Sequence, residues 1–430
     1  MQDILNKMLR AIEKLIPKKI YKFCQPAYHF GLSFMGKIIY RFPSHKIKVI
    51  GITGTKGKSS TTEYVNDVLE ANGYKTSILS TIRFKIGDES KKNLFKMTMP
   101  GRFFVQKFLR RSVDANCDYA IIEMTSEGSK FFRHSGVHID ILLVTNITPE
   151  HIESHGSFEK YLGAKLKIAK QVERSSKKNR AIIITDQSPH LNNFHNFNIE
   201  NKLTVNLSQE NYKSLNLSLP GDFNKANALL ALKLSDFLKL DNNKSKQAVE
   251  NLSHIAGRAE EVILASNKNF KAQNFKVVVD YAHTVDSLEK IYSAYPGKKI
   301  AVLGACGGGR DKIKQPSLGA AADNACEIVI VTDEDPYDDD VMNIINNVAS
   351  GITNKILGQS LFIEKDRRIA INLAIQKADE MSKTSHDVSV IISGKGTDPY
   401  IMRANNAKEK WLDSDVAREE LEKVLELKNI

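Results

Sequence analysis

The stretch from Ile47 to Gly73, "IKVIGITGTKGKSSTTEYVNDVLEANG", constrains this 430-residue chain more than any other. An apolar run leads into a loop of glycine, threonine, lysine and serine, and a helical pattern follows. Such a loop turns backbone N–H groups toward an anion, with the positive end of a helix behind them. In "GTKGKSS" Lys58 can reach terminal phosphates, and the Ser59 hydroxyl can ligate Mg2+. The general phosphate-loop pattern wants glycine five residues before Gly57, where this chain has Ile52. A glycine turn without ligand is the bland alternative. The order strand, loop, Gly-Lys-Ser, helix argues against it, so Gly54, Thr55, Lys56, Gly57, Lys58, Ser59 and Ser60 are the candidate phosphate cradle.

The loop belongs to a longer alternation. "KTSILS", "YAIIEM", "DILLVTN", "NRAIIITD" and "KLTVNLS" read as strands between helical stretches, mostly short and buried, and "DFNKANALLALKLSDFLKL" is a periodic helix. A second series, "FKVVVDYAH", "KIAVLGACGGG", "EIVIVTDEDP" and "VSVIISGKG", starts near Arg258. Continuous apolar strands of this kind belong to parallel sheets covered on both faces. The fold class is therefore α/β: a central domain over 46–256 with a mostly parallel sheet, then a dinucleotide-fold-like domain over 257–430.

Residues 1–45 form a short basic segment with interleaved apolar and aromatic residues. Its apolar stripe is expected to pack on the next domain, with weak contact to a membrane surface as the alternative. No run approaches eighteen apolar residues and no cleavage site follows an apolar core, so neither a membrane span nor a secretory signal is expected. Four widely spaced cysteines suit reduced thiols, and a cytoplasmic location is expected. A formal net charge of +12 is spread along the chain, which fits a basic surface around an anionic small molecule better than a nucleic-acid groove.

Further motifs extend the pattern: "EMTSEGSKFFR", "TNITPEHIESHGSFEKYLGAK", "GDFNKANAL", "GRAEEV", "VVVDYAHTVDSLEK", "GACGGGRDKIKQPSLG" and "SGKGTDPY". With the shortened loop GT-x-GK-S, this ordered set resembles the Mur ligase superfamily, and within it the branch that adds the third residue of the peptidoglycan stem peptide. The resemblance runs from about Lys46 to the C-terminus. It implies ATP-dependent amide formation: a carboxylate is phosphorylated and an amine attacks the acyl phosphate. Two anions must meet, so cations carry the electrostatic work.

The resemblance assigns roles residue by residue. Lys58, Lys165, His151 and Glu123 are the catalytic set, and Ser59, Glu123, His151 and a CO2-derived carbamate on Lys165 hold two Mg2+ ions. A carbamate needs a neutral amine, so Lys165 must be buried or close to positive charge; a helical lysine is otherwise a solvated one, as expected of Lys167 and Lys170. Asn224, Asn227, Arg258 and Asp280 are implied on the nucleoside and phosphates of ATP. Thr98, Pro100, Ser126 and Arg133 are implied on the acceptor, and Arg310, Asp335, Tyr337, Gly394 and Asp398 on the incoming amino acid.

Besides "GKGTDPY", where Thr397 and Asp398 stand for the family's His and Glu, the chain departs from the pattern in two places. Enzymes that add meso-diaminopimelate show D-N-P-R where this chain reads "DEDPYD", so Asp335 replaces asparagine and Tyr337 replaces the arginine that pairs with the distal carboxylate. Together with the acidic run Asp333, Glu334, Asp335, Asp338, Asp339 and Asp340, this favours lysine or ornithine; a solvated acidic loop without role is the alternative. Second, the short front segment implies a reduced grip on UDP, or a different carrier. Small-molecule substrates, no nucleic acid and a monomer are expected. Alternative functions are a folylpolyglutamate-synthetase-like ligase and a nucleic-acid-stimulated ATPase.

Overall fold

The computed structural model describes residues 31–150, 152–207, 214–264, 272–309 and 312–426. His151, Arg310 and most of the basic front segment thus lie outside the described residues. The chain divides into two compact units, one from residues up to 210 with Asn227–Lys246, the other from 211–226 and from Gln247 on.

The first unit is built on eight strands: β1 (Lys48–Thr53), β2 (Thr76–Leu79), β3 (Arg83–Ile86), β4 (Glu89–Lys92), β5 (Tyr119–Glu123), β6 (Ile141–Val144), β7 (Ala181–Thr185) and β8 (Asn201–Val205). Their order is β4-β3-β2-β5-β1-β6-β7-β8. From β2 to β8 all pairs are parallel. Runs such as "AIIIT" and "ILLV" are buried along their whole length, as strands covered on both faces must be. The antiparallel β3–β4 hairpin, which the sequence patterns do not announce, closes one edge and leaves β4 exposed. Val49, Ile122, Leu142, Ile168 and Ile182 share one continuous core cluster.

The second unit has a six-stranded sheet, with β9 (Glu260–Glu261), β10 (Phe275–Val279), β11 (Lys298–Leu303), β12 (Ile328–Val331), β13 (Leu361–Ile363) and β14 (Val388–Ile392) in the order β13-β12-β11-β14-β10-β9. Two apolar layers cover its faces, one around Leu288, Leu303 and Ile345, the other around Val277, Ile371 and Leu421. A two-stranded ribbon, β15 (Tyr400–Met402) with β16 (Lys408–Lys410), follows. Arg367 and Asp413 form a buried two-pronged ion pair at 2.8 and 2.7 Å, and the Trp411 indole N–H donates to the same carboxylate. No helix among the described residues is long and apolar enough to cross a membrane.

Candidate active site

β1 lies between β5 and β6, so the loop after Thr53 emerges at the carboxyl end of the sheet where the strand order reverses. Gly54 (φ 144°) and Gly57 (φ 80°) use backbone regions that side chains avoid. A Cβ at Gly54 would run into the Thr145 hydroxyl, and one at Gly57 into the Asn227 carboxamide. The loop is clamped by the segment after β6. Thr55 N donates to Asn146 O at 2.8 Å, Lys56 N to Asn146 Oδ1 at 3.0 Å, and Thr145 Oγ1 to Lys56 O at 2.6 Å. The helix Lys58–Ala71 then starts with no side chain capping its N-terminus and with Ser59 and Ser60 buried in its first turn. Lys58 Nζ folds back onto the carbonyls of Gly54 (3.1 Å) and Thr55 (2.7 Å).

Glu123 ends β5 in register with Ile52, the residue before Thr53, and its side chain is fully buried. Oε2 accepts from the Thr81 hydroxyl at 2.8 Å, while Oε1 has no hydrogen-bond partner among the described residues. A buried carboxylate oxygen left bare is costly unless a cation meets it. Thr81 also bonds the Thr98 hydroxyl at 2.8 Å, so Thr98 and Glu123 belong to one chain of contacts.

Lys165 sits in the helix Phe158–Glu173 with 2% of its surface exposed, whereas Lys167 and Lys170 are exposed. Its Nζ donates to Gly54 O at 2.6 Å and lies 4.9 Å from the centre of the Tyr161 ring. Burial pushes the amine well below the usual lysine range, and the Lys58 charge pushes further the same way, against Glu150. Tyr161, itself buried, joins its hydroxyl to Thr55 Oγ1 at 2.7 Å. One helix therefore supplies both a support for the loop and a buried, desolvated amine beneath it.

Arg133 donates to Met99 O at 2.8 Å, which draws it to the segment carrying Thr98 and Pro100. Burial lowers its pKa, with Glu127 opposing. Ser126 is buried in the first turn of the helix Ser126–Lys130, which Thr125 caps. The two asparagines are engaged differently: Asn227 Oδ1 accepts from Thr61 Oγ1 at 3.2 Å behind the loop, and Asn224 donates to Pro220 O at 2.8 Å.

In the second unit Arg258 donates to Gly257 O and lies 4.5 Å from the Tyr281 ring centre. Both Asp280 oxygens accept backbone N–H groups, from Ala259 and Ala282, each at 2.7 Å. Asp280 thus shapes the turn around it, and burial raises its pKa against the pull of Arg258. Gly394 (φ 104°) leaves room for the Glu334 carboxylate, which a Cβ would meet.

The acidic run is not the bare anionic surface its sequence suggests, because its carboxylates have internal partners. Asp335 Oδ1 accepts from the buried Lys395 amine at 2.9 Å and from Met402 N at 2.8 Å. Asp333 pairs with Arg403, Asp339 takes Gly308 N at 2.8 Å, Asp338 takes Asn405 N, and Asp340 caps the helix Val341–Ala349. Glu334 accepts from the Cys306 thiol at 3.2 Å, and its pKa is raised by burial. Asp398 lies 3.8 Å from the Lys395 amine, and Tyr337 holds a left-handed backbone (φ 53°) with its N–H on Met402 O.

Three contributors escape the sequence reading: Thr81, Tyr161 and Asn146. Tyr161 carried a local signal, since it precedes Lys165 by one helical turn on the same face. Thr81 and Asn146 gave none, because their partners lie far away along the chain.

Comparison with known proteins agrees with this architecture. The chain matches the Mur ligase middle domain over residues 52–235 and the Mur ligase glutamate ligase domain over residues 257–396. It is 32% identical to the UDP-N-acetylmuramyl-tripeptide synthetase of Borrelia garinii subsp. bavariensis, over 91% of this chain and 81% of that protein. It is 31% identical to the UDP-N-acetylmuramoyl-L-alanyl-D-glutamate--2,6-diaminopimelate ligase 1 of Clostridium acetobutylicum, over 86% and 77%. Among solved structures, a UDP-N-acetylmuramoyl-L-alanyl-D-glutamate--2,6-diaminopimelate ligase superposes with a TM-score of 0.58 at 22% identity, covering 92% of this chain and 83% of that one. Mycobacterium tuberculosis folylpolyglutamate synthase complexed with ADP superposes at 0.65 and 16% identity, covering 86% and 92%. At those identities the structural likenesses speak for the fold alone. The sequence relatives and the two domain models, matched in order, establish that the chain belongs to the Mur ligase family of ATP-dependent, amide-forming ligases.

Proposed function

We propose that this enzyme performs the reaction of a UDP-N-acetylmuramyl-tripeptide synthetase in the cytoplasm. The γ-phosphoryl group of ATP passes to the D-glutamate carboxylate of a UDP-N-acetylmuramoyl-dipeptide-like substrate, giving an acyl phosphate and ADP. The amine of a diamino acid then attacks the acyl carbon, phosphate leaves, and the amine gives up a proton. The observation that carries this reading is the pairing of a bare, buried Glu123 oxygen with a desolvated Lys165 amine at the mouth of one sheet.

The donor set fits Mg2+. Glu123 Oε1 is a buried carboxylate oxygen without a partner among the described residues, and a Lys165 amine in its neutral form can take up CO2 and release a proton to become a carbamate anion. Ser59, Glu123, His151 and that carbamate are the residues that would hold the metal, which would neutralise the approaching anions. The chain's own groups do the rest. The glycine loop presents N–H groups to the phosphates, and Lys58 exchanges its carbonyl contacts for phosphate oxygen. Thr98, Pro100, Ser126 and Arg133 orient the acceptor. Asn224, Asn227, Arg258 and Asp280 serve ATP, and Arg310, Asp335, Tyr337, Gly394 and Asp398 serve the amino acid.

Preference for lysine or ornithine over meso-diaminopimelate now rests on Tyr337 alone, which offers one hydroxyl where a guanidinium would pair with a distal carboxylate. The acidic run no longer supports it, its carboxylates being engaged within the protein. ADP release is to be measured with ATP, UDP-N-acetylmuramoyl-L-alanyl-D-glutamate and each of the three amino acids in turn. Release above the acceptor-free background with a diamino acid is expected. Background release with all three would overturn the proposed reaction, and equal turnover of lysine and meso-diaminopimelate would overturn the preference.

A further inference from the structure

The helix over residues 31–39 is amphipathic in the wrong sense for a helix that packs on a core. Its small residues face the protein: Ser33 is 1% exposed and Gly36 is buried, and the Ser33 hydroxyl bonds the carbonyls of Phe132 (3.1 Å) and Ser135 (3.0 Å). Its large apolar side chains face outward, with Phe34, Met35, Ile38, Ile39 and then Phe42 between 43% and 58% exposed. The docking is specific, since Ser44 also receives His138 N at 3.1 Å and Lys37 packs against Gly136. A surface helix normally turns its apolar stripe inward. Here serine and glycine are spent on docking while five large apolar groups are held outward.

A second exposed apolar group adjoins the same stretch of backbone. Leu94, Phe95 and Met97 are 55%, 50% and 41% exposed, and Arg133, next to Phe132, donates to the Met97 sulfur at 3.6 Å. Positive charge frames the helix. Arg41 and Lys46 are exposed, and Lys37 Nζ lies 4.3 Å from the centre of the Phe34 ring. An outward apolar face flanked by lysine and arginine is the chemistry of a helix lying in an anionic bilayer interface.

From this we propose that the face formed by Phe34, Met35, Ile38, Ile39 and Phe42 adsorbs to an anionic phospholipid surface and holds the Arg133 side of the first unit close to it. This goes beyond the proposed reaction and does not depend on which acceptor is used. The test is co-sedimentation of the full chain with phosphatidylcholine vesicles and with vesicles that also contain phosphatidylglycerol, at low and high salt. Binding to the anionic vesicles at least about tenfold tighter than to neutral ones, and lost at high salt, is expected. The double variant Ile38→Asn, Ile39→Asn should weaken that binding about tenfold or more, with melting temperature and ADP release on the water-soluble acceptor unchanged. Equal retention of wild type and variant, or no retention on anionic vesicles, would overturn the proposal. So would a dimer in light scattering that the variant dissociates, which would assign the face to a second copy. A fall of several degrees in the variant's melting temperature would overturn it too, by showing that the chain itself covers this face.

Discussion

Replacing Lys165 by methionine should stabilise the protein while abolishing its activity, and the structure sets the sign of the change in stability. The amine is 2% exposed and is held well below the ordinary lysine range by burial and by Lys58. In the unfolded chain the same amine has a pKa of about 10.4. Each unit by which the folded amine's pKa is depressed favours the unfolded, protonated chain by about 1.4 kcal/mol at neutral pH. Methionine removes that penalty, keeps most of the volume, and gives up one hydrogen bond to Gly54 O, worth about 1 kcal/mol. The depression outweighs that one bond, so the melting temperature should rise, by roughly 2–4 °C for each 1 kcal/mol of net gain in a unit of this size. The sign follows from linkage. A lysine whose folded pKa is depressed destabilises the fold below its unfolded pKa, and the penalty fades as pH rises toward about 10.4. The gap between variant and wild type should therefore be wide at neutral pH and closed near pH 10, about where the unfolded amine titrates. Dissolved CO2 should narrow the gap at neutral pH by capturing the neutral amine in the native state. Calorimetric scans of both proteins from neutral to alkaline pH, with and without bicarbonate, are the assay. A variant less stable than wild type at neutral pH, or a gap that does not change with pH, would refute the reasoning.

Other expectations follow from single contacts. Glu123→Gln should reduce kcat at least about 100-fold and weaken Mg2+ dependence, with little change in melting temperature, because the amide retains the Thr81 contact; kinetics against Mg2+ concentration check this. Thr81→Val should raise the acceptor KM several-fold, read by ADP release, since it cuts the bridge from Glu123 to Thr98. Asp335→Ala leaves the Lys395 amine buried without its nearest carboxylate, so a loss of about 3–5 kcal/mol is expected in urea denaturation. His134 is buried with its pKa lowered to about 4, so the unfolded chain binds the extra proton between there and about 6.5; stability should fall by up to about 3 kcal/mol as pH drops through that window, and His134→Leu should flatten that part of the pH profile of urea midpoints.

The inner parallel strands of both sheets were legible because a strand buried on two faces leaves an uninterrupted apolar run, as in "YAIIE" and "VSVII", whereas the edge strands β9 and β13, two and three residues long, were not. The β3–β4 hairpin was not, because β4 reads "ESKK" and is exposed along its whole length; its place comes from pairing with β3, not from its own composition. At the site, the glycine loop declared itself by local order, and Lys165 by a motif. What the motif cannot carry is the sign of the environment. The same helix holds Lys165 buried and Lys167 and Lys170 in water, and only the packing of Tyr161 and the Gly54 carbonyl around one amine separates them. The acidic run errs in the opposite direction for the same reason. Six carboxylates within eight residues read as an open field for a cation, yet Lys395, Arg403 and backbone N–H groups brought in from residues 308–405 engage five of them, and the Cys306 thiol donates to Glu334. A charge counted along the chain becomes an electrostatic field only after its partners are known. Apart from Asn343, which Asp340 meets three residues on, those partners are nonlocal, and that is why the proposed preference among amino acids rests on Tyr337, a missing guanidinium, instead of on the acids beside it.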